Sequence, residues 1–528
     1  MQRSPVIAIG LDALGPQLLE GWLAEGRLPT LARLARDGLY ARQTNTSLNR
    51  TESSWLTLLQ GCQVDTSDEW GHQDYDAQAF SFTERASYEF RKYPPFYALG
   101  PDRRVAIFDI PLTQQVPDVN GVQLLGWGTE VNQILRQSSP PGLLAELIAR
   151  HGRHPLYDSE HEADDGTQTM SYRIPSIYDM DQMRLTRDRL VAAVHQRTAI
   201  ILDLMRMERW DLLMCAYAEV HTAGHLFWHL SQAAGPLAEL QRNAGSNFIL
   251  DVVQAIDADL GLLLDQAGED ARIIVFSPHG MQSNTLDICS MVFLPELIYR
   301  WSQGEAAFAG GAAGEPLPPS RLDYSRHWRE EVWDQRTPHG QAVLESPYEQ
   351  EAMDDPLDWD PGNWYRRQWP AMRAFSLPGY SEGLVRINVA GRDAAQGIAP
   401  EDFQRVGDEI ARMLGELVDA RSGEPMAEEI IRVRQTPWDG ANLSAADLMV
   451  VWREIETDVV DHPVHGRIGP MPFFRTGGHS CEGFVLARGP GFEAGRRLPP
   501  VTTEDVTATL LQQLGAAIPA HVKGVPFG

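Results

Sequence analysis

Basic residues are in short supply: 45 Lys and Arg stand against 72 Asp and Glu, a formal charge of −27 over 528 residues. Neutralising nucleic-acid phosphates takes clustered Lys and Arg, so this balance excludes a general nucleic-acid binder. Electrostatic docking on an anionic membrane is disfavoured for the same reason. A local pocket for a small anionic ligand is compatible with it, because net charge says little about one cleft. Cysteine is scarce as well. Cys62, Cys215, Cys289 and Cys481 are scattered, with no CxxC pair, which fits a reduced, cytoplasmic chain rather than a disulfide framework. No run of 18 apolar residues occurs, so no bilayer-crossing helix is expected. Met-Gln-Arg-Ser-Pro leads straight into the strand-like Val6-Ile7-Ala8-Ile9-Gly10, so no signal peptide is expected either. The partner these absences leave is a small molecule, with neither nucleic acid nor membrane; the oligomeric state is not legible.

What is present is an alternation of strand and helix. After the first strand come apolar-periodic stretches around Leu18–Leu23 and from Leu28-Pro29 to Gly38, both read as helices. Arg104–Phe108, Asp211–Tyr217, Arg272–Phe276, Asp447–Trp452 and Gly483–Ala487 are short apolar runs, of the kind buried on both faces of a parallel sheet. Helical stretches at about 187–208, 247–266, 403–418 and 503–515 lie between or after them. The expectation is an α/β fold with a doubly wound, mostly parallel sheet flanked by helices. One domain over 1–528 is expected, with 63–100, 136–186 and 285–380 as inserted caps or loops. Within the last, 303–320 is glycine-rich, and 345–370 combines acidic residues with Trp359, Trp364 and Trp369; the second stretch reads as an insertion covering something.

In such a sheet, reactive side chains collect at the carboxyl ends of strands. Asp12 ends the first strand. Glu219-Val220-His221-Thr222-Ala223-Gly224-His225 follows the strand ending at Tyr217, and Ser277-Pro278-His279-Gly280-Met281 follows the one ending at Phe276. Thr51-Glu52-Ser53-Ser54-Trp55 and Gly477-Gly478-His479-Ser480 are two further candidates. His221 and His225 are four apart, so on a helical turn they share a face and can hold one metal ion. His279, His479 and Asp12 strengthen that reading. Nitrogen and oxygen ligands without thiolate suit zinc, iron or manganese, and an imidazole-rich set favours zinc. Thr51, on its residues alone, reads as a helix N-cap. His72 and His229 read as structural or surface residues, Cys215 and Cys481 as small buried hydrophobes, and Trp228 as packing.

Together these segments resemble the alkaline phosphatase superfamily, in its type I phosphodiesterase/nucleotide pyrophosphatase branch. The resemblance runs from the Gly-Leu-Asp12 strand end and Gly26-Arg27-Leu28-Pro29-Thr30-Leu31 through Thr51 with Gly61, Gly224-His225 and His279-Gly280-Met281. It continues with Arg386-Ile387-Asn388 and ends at His479 before Gly483 and the helix over Thr503–Leu514. It implies two adjacent metal sites: His221, His225 and His479 at the first, Asp12 and His279 at the second. Thr51 falls at the nucleophile position. The implied mechanism is attack of Thr51 on phosphorus, a covalent phosphoryl-threonine, and in-line release by water. Sulfatases of the superfamily are set aside, since Thr51-Glu52-Ser53-Ser54-Trp55 lacks the Cys/Ser-x-Pro-x-Arg context.

Two positions depart from the family pattern. His221 stands where the family usually has Asp, and Pro278 where it has the Asp of Asp-His-Gly-Met. One tight ion and a weaker or absent second are therefore expected, unless Glu219, Glu52 or Asp287 supplies a carboxylate. Glu219 is the preferred candidate, since on an extended segment it points to the same side as His221. The leading function is a metal-dependent phosphoester hydrolase of phosphodiesterase type. A group transferase on the same fold and a catalytically silent ligand-binding member remain as alternatives, the latter because of Pro278.

Overall fold

The apolar runs at the strand positions are largely buried, and all of them except Asp447–Trp452 are interior members of one sheet. The computed structural model describes residues 4–46, 52–128, 133–162, 167–232, 237–319, 328–353, 355, 357–393, 397–440, 444–472 and 476–528. Thr51 lies outside these. The chain folds as two compact units, one from Met1–His72, Ala86–Gln282 and His479–Gly528, the other from Gln73–Arg85 and Ser283–Gly478. The segment 285–380 falls within the second unit, which continues to Gly478.

The first unit carries the main sheet. Its strands run in the order Arg496–Arg497, Leu39–Thr44, Glu482–Arg488, Arg272–Ser277, Val6–Leu11, Leu212–Tyr217, Gly100–Phe108, Val119–Leu125, Gln137–Ser139, with Val501–Thr502 beside Leu39–Thr44. Val6–Leu11 sits centrally, parallel to Leu212–Tyr217 on one side and Arg272–Ser277 on the other. The centre is parallel, as expected. Glu482–Arg488 instead pairs antiparallel with both neighbours; hydrophobicity reports its burial and is blind to its direction. The helices Met180–Met207 and Phe248–Ala267 bury Leu190, Val194, Ile201, Val253, Ile256 and Leu260 in one core with the sheet residues Ile9 and Cys215. A second core on the other face joins Val6, Ala8, Trp55 and Leu59 to Val506 and Leu510.

The second unit is built on a four-stranded antiparallel sheet, in the order Ala374–Leu377, Gly383–Ile387, Leu448–Trp452, Ala427–Arg432. The Asp447–Trp452 run, expected in the parallel sheet, is the third of these. It is apolar because it is an inner strand, and that requirement is the same in either kind of sheet. Trp364 and Trp369 are fully buried in this unit's core with Phe375 and Leu448. Arg386 and Asn388 are structural here: Arg386 pairs with Asp393 at 2.7 Å, and Asn388 Nδ2 donates to the carbonyls of Trp369, Pro370 and Met372. Among the described residues no helix is long and apolar enough to cross a membrane.

Asp360 is a buried carboxyl of this unit. Burial pushes its carboxyl up to about 8, against the 3.8 of a free aspartate; the Gly362 N–H offsets part of this, and Glu84 and Asp287 add to it. A carboxyl whose folded pKa is raised binds its proton more tightly folded than unfolded, so its ionisation removes stability as pH rises between those two values. Asp360→Asn keeps an acceptor for the Gly362 N–H, at 2.7 Å from Oδ1. The variant is expected to unfold at higher urea than the wild type at pH 8, with the difference shrinking towards pH 5.

Candidate metal centre

Four strand ends of the first unit bring their side chains to one place. Leu212–Tyr217 passes through Ala218 into the helix Glu219–Phe227. That helix carries His221 and His225 on one face, as their spacing requires. His279 follows Arg272–Ser277, and His479 precedes Glu482–Arg488. The Nε2 atoms of His221, His225 and His479 converge: 2.7 Å from His221 to His479, 3.0 Å from His225 to His221, and 3.1 Å from His225 to His479. His279 adjoins them, since His221, His279 and His479 each offer a ligand atom within 4.8 Å of the others. Asp12 lies beside His221 and His279, its carboxylate oxygens 3.8 Å from His221 Nδ1 and from His279 Nε2.

Close backbone approach makes this possible. A Cβ on Gly224 would stand 2.8 Å from Met281 Cε, so a side chain there would force the Met281 thioether against the His279 turn to shift. A Cβ on Gly10 would stand 2.7 Å from the Trp55 ring. Glycine thus lets the indole cross the central strand and donate from Nε1 to Asp12 Oδ1 at 2.7 Å. Ser54 Oγ meets His279 Nδ1 at 2.9 Å. Both residues belong to the helix Ser54–Gln60, whose N-cap is Ser53.

The electrostatics suit a cation. Asp12 is buried, and burial raises its carboxyl to about 7, only partly offset by the Trp55 hydrogen bond. Its Oδ2 is buried without a hydrogen-bond partner. Burial, with the neighbouring His479, holds His279 well below the usual imidazole range. Neutral imidazoles and an unsatisfied carboxylate oxygen are what a divalent ion needs. Three Nε2 lone pairs cannot face one another at this range without a proton or cation between them. Ligands on a tetrahedral zinc with bonds of about 2.0–2.1 Å would lie about 3.3 Å apart, close to the observed spacing. The residues present fit the group.

Glu219 has another partner. The fully buried Arg197, on Met180–Met207, donates from Nε to both its oxygens, at 2.8 and 3.1 Å. Arg197 also pairs with Asp109 at 2.8 Å and donates to the Gly128 carbonyl. Asp109 accepts from the backbone N–H groups of Gly126, Trp127 and Gly128, and His154 Nε2 lies 3.3 Å from Glu219. Burial opposes ionisation of Glu219, but the charges and hydrogen bonds of Arg197 and His154 together outweigh it and hold the carboxyl below its usual range. Sequence reasoning passed over Arg197, Asp109, His154 and the roles of Ser54 and Trp55. The signal for Arg197 was an arginine set three and four residues from Ala193, Val194, Ile200 and Ile201, on a helix's apolar face. Asp109 ends a strand just as Asp12 does. His229 is buried, which lowers its pKa to about 4, and Trp228 packs in the core.

The profile of the type I phosphodiesterase / nucleotide pyrophosphatase family matches residues 6–455. The chain belongs to that family. It is therefore a phosphoester hydrolase of the alkaline phosphatase superfamily, and the family is metal-dependent. Among solved structures it is similar to human ectonucleotide pyrophosphatase/phosphodiesterase 5, at 11% identity and TM-score 0.48, covering 98% of this chain and 97% of that one. It is also similar to phosphonoacetate hydrolase from Sinorhizobium meliloti in complex with phosphonoformate, at 15% identity and TM-score 0.47, covering 98% and 96%. A search of curated protein sequences finds no match.

Removing Arg197 leaves two buried carboxylates without the cation they share. Arg197→Leu is expected to lower the unfolding free energy by about 3–5 kcal/mol, measured by urea denaturation of the metal-free protein.

Proposed function

We propose that this protein hydrolyses a small phosphodiester or related phosphorylated molecule with Thr51 as nucleophile. One tightly held divalent ion, best suited to be zinc, would sit at His221, His225 and His479, and a weaker second at Asp12 and His279. The observation that supports this is the convergence of three imidazole Nε2 atoms within 3.1 Å of one another. When bound, such an ion supplies Lewis acidity and offsets the negative charge of the phosphoryl group. The chain's own residues do the rest. Thr51 Oγ forms a bond to phosphorus as the bond to the leaving oxygen breaks, and the threonine's proton ends on the alcohol so released. Water then attacks the same phosphorus and returns Thr51 to its hydroxyl form. Trp55 and Ser54 keep Asp12 and His279 oriented throughout.

Glu219 is not a ligand in this reading. Its carboxylate is committed to Arg197, and it holds the start of the histidine helix instead. The second site then lacks a carboxylate where Pro278 stands, which is why its ion is weak.

Thr51→Ala is expected to lower turnover of an aryl phosphodiester by about a thousandfold or more, while zinc content is unchanged. Equal turnover by the variant overturns the assignment of Thr51. Equilibrium metal analysis is expected to give about one tightly bound zinc per chain, lost in His225→Ala, with Pro278→Asp moving the value towards two. Two tight ions in the wild type overturn the one-ion reading.

A further inference from the structure

Three neutral imidazoles give a divalent ion no charge. A carboxylate just outside the ligand set can make up part of the deficit. It does so by accepting the N–H of a ligating imidazole, which settles the tautomer, turns the ring and makes the other nitrogen a better donor. Glu219 is unavailable for this, since both its oxygens accept from Arg197. Asp12 already accepts from Trp55 and presents its free oxygen to the histidines. Glu52 is differently placed. Its Oε1 lies 3.4 Å from His479 Nδ1, on the edge of the ring opposite the Nε2 that meets His221 and His225.

We propose that Glu52 is the orienting carboxylate of the three-histidine centre, fixing the tautomer of His479 that ligates through Nε2 and lending the site the charge its ligands lack. The proposal rests on the metal reading given above. Glu52 is a positioning residue, acting through His479. Its neighbours in sequence do the same for other members of the centre, Ser54 for His279 and Trp55 for Asp12. Three of the four residues after Thr51 thus orient three of the centre's groups, tying the nucleophile's segment to the metal's geometry. The side chains of Glu52 and His479 are 18% and 12% exposed, so deleting this carboxylate strands no deeply buried charge, in contrast to the Arg197 cluster.

The test uses the full chain stripped of metal by chelation. Zinc affinity is measured by competition with a chromogenic chelator for wild type, Glu52→Gln and Glu52→Ala, alongside the visible spectrum of each with cobalt(II) and the thermal midpoint of each apoprotein. Glu52→Ala is expected to weaken zinc by about 10–100-fold and to alter the cobalt spectrum, with the apoprotein midpoint unchanged. Glu52→Gln, whose amide oxygen still accepts the N–H but carries no charge, is expected to fall between. Zinc bound by Glu52→Ala within about twofold of wild type overturns the proposal and leaves the metal centre standing. A wild type that takes up no zinc or cobalt overturns the metal reading, and this proposal with it.

Discussion

The guanidinium of Arg197 is fully buried between two carboxylates that come from different elements, Asp109 at a strand end and Glu219 at a helix start. A charge so far from water is tolerable only when its partners are in place, so each of the three positions dictates the other two. The consequence reaches the metal centre directly. Glu219 is the first residue of the helix that bears His221 and His225, and its anchorage sets where that helix begins. Asp109 in turn gathers the backbone of Gly126, Trp127 and Gly128, and the Trp127 ring lies 5.0 Å from the guanidinium carbon. The polar cluster therefore forms as one body with the core around it.

The centre itself works by the opposite electrostatic logic. Arg197 keeps Glu219 ionised by proximity, whereas Asp12 and His279 are held near or in their neutral forms by burial. A neutral imidazole is ready to ligate, and a carboxylate oxygen lacking any donor gains the most from a cation. Desolvation thus leaves both groups in a state that a bound cation would favour.

Much of this was legible in residue order. A strand must end where its apolar run ends, so Asp12, His279 and His479 could be placed at strand ends. The spacing of His221 and His225 required a shared helical face. Other features were hidden because their signals are degenerate. Leu448–Trp452 and Glu482–Arg488 are apolar for the same reason as the parallel strands, and hydrophobicity carries no direction. Glu219 read as a ligand on an extended segment, but that segment is a helix, and an arginine 22 positions away claims its carboxylate.

By itself, then, the sequence determined the α/β alternation, the strand ends that carry chemistry, and the identity of the convergent histidines. Local periodicity and spacing encode these, and they hold whatever the rest of the chain does. Tertiary structure alone decided which carboxylate each cation keeps, which strands join which sheet, and which side chains orient the ligands. Those outcomes depend on distances between residues as far apart in the chain as Glu52 and His479. Only the folded core brings such pairs together.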